Sequence, residues 1–169
     1  ESKKPKVGII ATGALLHHAL MAAKELEEEG IESEVMNLSS IKPLDEEAII
    51  ALAEKAKRIV TVEEHQKNGG MGSAVSECLA ENYPVPIEFI AVKDQFGQSG
   101  KEAELLKHYG LDKNAVIKAV KKKADVLDQS DILKEVGGNA KEIHKESGAP
   151  EVNRTLEILK SQLPKEGAK

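Results

Sequence analysis

Between residues 7 and 92 the chain alternates short apolar runs with amphipathic stretches, and this alternation limits the fold more than any other feature. Residues 7–12 (VGIIAT) read as a strand buried on both faces, ended by Gly13. Residues 14–29 follow as a helix, with Leu15, Ala19, Ala22, Ala23 and Leu26 on one face, a glutamate-rich opposite side and Gly30 as the stop. Residues 34–38 read as a second strand, and Asp45 caps a helix running to residue 56. A third strand, 58–62, leads into a polar glycine-rich loop at 63–72 and a helix from Ser73 to about residue 81. The fourth strand is 86–92, and two helices at 101–109 and 112–124 close the series. The pattern predicts an α/β fold with three layers: a mainly parallel sheet of about five strands with helices on both faces and right-handed crossovers.

The character changes at Asp125. Residues 125–169 hold no strand candidate, and Val152, Leu156, Leu159 and Leu163 form a helical stripe after Pro150. Two units are therefore expected: an α/β domain at 1–124 and a C-terminal helical appendage at 125–169. The 169 residues carry a formal net charge of −5, which argues against nucleic acid as a partner. The four aromatics, Tyr83, Phe89, Phe96 and Tyr109, are too few for a base-stacking platform. No apolar run approaches the roughly 18 residues that span a bilayer, so no membrane partner is expected. One cysteine, Cys78, can form neither an internal disulfide nor a cysteine-based metal site, and a reducing, cytoplasmic location follows.

The residues richest in chemistry lie between Glu63 and Ser73. Gly69, Gly70 and Gly72 lead into a helix N-terminus, and with Met71 and Ser73 they offer backbone N–H groups to a phosphate-like small molecule. The competing reading is structural: glycines allow positive φ and close packing. Six residues separate the strand from the first glycine and the spacing is GGxG, so this is not a dinucleotide fingerprint. Thr12 and Gly13 end the first strand at the carboxyl end of the sheet, where ligands of open α/β folds sit, and they complete the anion-site hypothesis. The segment Ser99-Gly100-Lys101 lacks P-loop spacing and reads as a structural loop. His17, His18, His108 and His144 form no metal-ligand spacing, so no metal is expected. Cys78 reads as a core thiol and Lys121, Lys122 and Lys123 as a solvated helix end.

Four segments, in order, carry a resemblance: residues 7–13, SIKPLD at 40–45, VTVEEHQKNGGMGSAV at 60–75 and FGQSGKEAELLKHYGLD at 96–112. Together they resemble the C-terminal domain of transketolases over residues 5–124. His65-Gln66 after paired glutamates, and the FGQSGK run, resemble the two-subunit bacterial type in particular. Deoxyxylulose phosphate synthase shares the GGxGSAV pattern and is the competing family. The tail lies outside the pattern. The resemblance implies a whole enzyme that uses thiamine diphosphate and Mg²⁺ to transfer two-carbon ketol units between sugar phosphates. In that family the cofactor sits between two other domains, so none is expected on this chain and no catalytic residue carries over. A dimer-stabilising role is implied, either as a homodimer or with a companion chain bearing the thiamine-binding domains. In that setting Glu64 and His65 fall at a subunit interface. The alternative is a stand-alone anion or small-molecule binding module.

Overall fold

The computed structural model describes residues 4–124. The elements follow in the order β1 (Val7–Ala11), α1 (Leu15–Glu28), β2 (Ser33–Asn37), α2 (Glu46–Ala56), β3 (Ile59–Gln66), α3 (Met71–Asn82), β4 (Ile87–Val92), α4 (Glu102–Tyr109) and α5 (Lys113–Ala124). The strands form one sheet ordered β2-β1-β3-β4, with every neighbouring pair parallel. The expectation of about five strands is corrected to four among the described residues. The helical reading of 125–169 lies outside the described residues.

β1 is central, and its side chains alternate between two cores. Val7, Ile9 and Ala11 pack with Leu15, Ala19, Val116 and Val120 under α1 and α5. Ile10 joins Leu38, Ile49, Leu52 and Met71 under α2 and α3. Both faces of the sheet are therefore covered, which is why its central strands read as unbroken apolar runs. The lysine run of α5 is not simply solvated. Lys121 pairs with Glu29 at 2.5 Å, and Lys122 and Lys123 reach Glu88 on β4 at 3.0 and 3.4 Å. Cys78 is a buried core thiol, pushed up in pKa by burial, with Glu46 and Glu81 adding to the effect. No helix among the described residues is long and apolar enough to cross a membrane.

Two element boundaries differ from the sequence reading, and both touch the site. β3 does not stop at Val62 but runs on through Gln66, where it pairs with Val92 of β4. α3 starts at Met71 rather than at Ser73. The polar stretch EEHQ reads as loop from its composition, but β3 carries it past an irregularity after Val62 to Gln66, which pairs with Val92 of β4. The connection that remains is only residues 67–70.

Candidate functional site

The chain passes from β1 to β2 on one side and to β3 on the other, so the sheet switches direction between β1 and β3. A crevice at the carboxyl ends of these two strands is the expected ligand position in such a fold. Thr12 and Gly13 leave β1 there, and Glu63, Glu64 and His65 extend β3 past them.

Strand periodicity assigns the side chains of β3. Val60 and Val62 face the α1/α5 core and Ile59 faces the α2/α3 core. Thr61 and Glu63 share the parity of Ile59 and point toward α3. Glu63 is 1% exposed, the one buried carboxylate among the described residues. Its two oxygens accept from the first amides of α3: Met71 N–H to Oε2 at 2.6 Å and Gly72 N–H to Oε1 at 2.8 Å. These donors have no partner inside their own helix, and the N-terminal end of a helix dipole favours negative charge. The short distances are those of charge-assisted bonds.

Close approach explains two of the glycines. A Cβ on Gly70 would lie 2.6 Å from the Gln66 carbonyl oxygen and against the Glu63 carboxylate. One on Gly72 would lie 2.8 Å from the Phe89 ring and 2.8 Å from Thr61 Oγ1. Gly69 has φ +77°, which a side chain would strain. Ser73 Oγ accepts from the Gly69 amide at 2.9 Å and donates to the Lys67 carbonyl at 2.9 Å, closing the connection on itself.

A cleft of about 420 Å³ brings together Thr12, Gly13, Glu64, His65, Gly69, Gly70 and Met71 of the predicted residues. Gly72 faces the sheet and Ser73 faces the connection, so neither lines it. Of the amides offered to an anion, those of Met71 and Gly72 hold Glu63 and that of Gly69 holds Ser73. The sequence reading missed this role of Glu63 by placing it in a loop. The signal was present: one polar residue in phase with Ile59 and Thr61, just before a GGxG helix start. Glu64 and His65 are exposed at the cleft mouth, and His65 Nδ1 lies 3.1 Å from the Gln66 carbonyl oxygen. Among the described residues no group of three or more His, Cys, Asp or Glu could hold a metal ion.

Fold and site together define a doubly wound α/β domain whose strand-end crevice is braced from within by a carboxylate. Residues 1–116 match the family model described as transketolase, C-terminal domain, and the chain belongs to that family. One subunit of the apulose-4-phosphate transketolase of Phocaeicola vulgatus is 47% identical over 110 residues, which are 65% of this chain and 35% of that protein. The 1-deoxy-D-xylulose-5-phosphate synthase of Syntrophus aciditrophicus is 38% identical over 117 residues, 68% of this chain and 18% of that one. A split-gene transketolase solved as an inactive beta4 tetramer superposes with a TM-score of 0.69 at 44% identity, covering 73% of this chain and 40% of that chain. The similarity is to the two-subunit type of transketolase, and the chain spans well under half the length of each of these proteins.

Proposed function

We propose that this chain is a non-catalytic C-terminal section of a two-subunit transketolase. Its companion chain carries the domains that bind thiamine diphosphate and Mg²⁺, and the assembled enzyme moves two-carbon ketol units between sugar phosphates in the cytoplasm. This section contributes folding stability and contacts between subunits, with Glu64 and His65 at the cleft mouth among the interface residues.

The observation that carries this reading is the position of Glu63. The feature best suited to hold a substrate phosphate, the N-terminus of α3, holds a side chain of the protein itself. That leaves the stand-alone anion-binding module without its two strongest donors. The higher identity to a transketolase subunit than to the synthase supports transketolase over the related enzyme. The test is reconstitution. The purified chain with thiamine diphosphate and Mg²⁺ should give no turnover of ketose and aldose phosphates in a coupled assay. Adding a companion chain that bears the thiamine-binding domains should give turnover that depends on both chains. Turnover by this chain alone, surviving repurification, would overturn the proposal.

A further inference from the structure

We propose that residues 93–101 form a flap with two positions: Gln66 latches it open, and its closed position turns the Phe96 ring into the cleft beside it. A lone exposed apolar side chain is ordinary and calls for no explanation. Phe96 differs because its loop carries both a latch and a strained torsion, and because an open cleft lies next to the ring.

The latch is a side chain of the neighbouring strand. Gln66 ends β3, with Val92 of β4 as its pairing partner. Its Oε1 accepts from the Asp94 amide at 3.1 Å, and its Nε2 donates to the Gln95 carbonyl at 2.9 Å. Between these two bonds lies the φ torsion of Asp94, at +47°. Among the described residues one other non-glycine, Lys57, has a positive φ, and it ends α2, where such a turn is common. Asp94 ends no helix. Its left-handed backbone is disfavoured for a residue with a Cβ, and the paired bonds to Gln66 offset that cost.

The cleft supplies the second position. Phe96 is 98% exposed, far more than Leu20, Met21 or Ile41, the other exposed large hydrophobics among the described residues. Gln95 and Gly97, its neighbours in sequence, line a cleft of about 450 Å³, and Phe96 does not. The Phe96 backbone is therefore at the rim with its ring turned away. Val92, Leu105 and Leu106 give the cleft apolar lining, while Glu64 and Glu102 are exposed carboxylates that also line it. Rotation about Asp94 out of the left-handed region turns the ring inward. That movement gives up three hydrogen bonds: the two to Gln66 and the one Tyr109 donates to the Phe96 carbonyl at 3.0 Å. In return it relaxes the Asp94 backbone and takes an aromatic ring out of water. These opposed terms give the loop two positions, and Gln66 sets the balance between them. In the closed position the protein's own ring competes with any apolar group that would enter the cleft.

The full chain contains no tryptophan, so Phe96→Trp provides a single fluorescent reporter. Phe96→Trp alone should emit as a solvent-exposed indole and be quenched freely by acrylamide. Adding Gln66→Ala removes both latch bonds, enough to move the open-to-closed ratio by about tenfold. The emission should then shift to shorter wavelength and quenching should fall, equally at every protein concentration. A third change, Leu105→Lys, places a charge in the cleft and should return the emission to its exposed value. Thermal unfolding checks that the variants fold. Should the one with Leu105→Lys unfold, Gly97→Glu takes its place, since a Cβ there meets nothing within 4 Å. Quenching unchanged by Gln66→Ala would mean that the loop merely loosens. An indole already shielded with Gln66 in place would mean that Gln66 is no latch. Shielding that grows with protein concentration would mean that another copy covers the ring. Each of these results would overturn the proposal, and none bears on whether reconstitution yields transketolase turnover.

Discussion

α2 and α3 pack side by side on one face of the sheet, yet their N-termini are held in different ways. α2 is capped from its own first turn: the Asp45 carboxylate accepts from Ala48 N–H at 3.2 Å in an exposed position. α3 begins at Met71, its N-cap Gly70 has no side chain to offer, and its first amides are held by Glu63, eight and nine residues upstream on β3, inside the protein. The first arrangement stabilises a helix wherever that helix goes. The second fixes where the helix starts relative to the strand, and thereby sets the 67–70 connection that floors the crevice. The cost is that Gly70 and Gly72 admit no side chain, because the carboxylate sits between strand and helix.

The comparison breaks most visibly at Glu63. Glu63→Ala leaves two buried amides unpaired and should cost about 2–5 kcal/mol, read as a lower urea midpoint. Glu63→Gln keeps one acceptor oxygen and should lose less. If Glu63→Ala cost no more than an ordinary cap, the distinction between the two helices would collapse. Gly70→Ala comes next, at about 1–3 kcal/mol, because the added methyl meets the Gln66 backbone carbonyl, which cannot swing aside as a side chain can. Asp45→Ala should cost about 1 kcal/mol, the ordinary value for a surface cap, and should leave the amide chemical shifts of 67–73 unchanged. The smallest effect belongs to the far side of the sheet. Burial raises the Glu88 carboxyl, but hydrogen bonds and charge from Lys122 and Lys123 outweigh it and hold the group below its ordinary pKa. A carboxylate depressed in the folded state stabilises at pH above its unfolded-state pKa and loses that contribution as the pH falls through the folded value. Glu88→Gln should therefore cost less than about 1 kcal/mol at neutral pH, and its difference from the wild type should shrink in acid.

Local chemistry was the part of this fold legible in the sequence. Asp45 announces α2 because a cap and the amide it meets lie three residues apart. β1 announces itself because a strand buried on both faces has no polar phase. The rule that ligands of open α/β sheets sit at the carboxyl ends of the strands was enough to expect Thr12 and the Gly70 loop at one end of the sheet, but the strand order that makes that end a β1/β3 switch comes from the structure. What escaped was non-local. Residues 63–66 look like loop because three of the four face water, and the pairing that extends β3 to Gln66, with Val92 of β4, is distant in sequence. The lysine run of α5 looks like a solvated end until Glu29 and Glu88, distant in sequence, are brought beside it. The glycines near α3 allowed two readings, a phosphate-like ligand at the helix start or close packing, and what occupies the first amides is the Glu63 carboxylate. The spacing could not tell that the anion belongs to the chain itself.

Titration with inorganic phosphate, followed residue by residue in the amide spectrum of the wild-type chain, tests the central claim most directly. With Glu63 seated on α3, the Met71 and Gly72 amides should remain in place at millimolar phosphate, showing no saturable shift. Saturable movement of those two amides ahead of the rest of the chain would mean that a ligand displaces Glu63 or joins it, and would contradict the account.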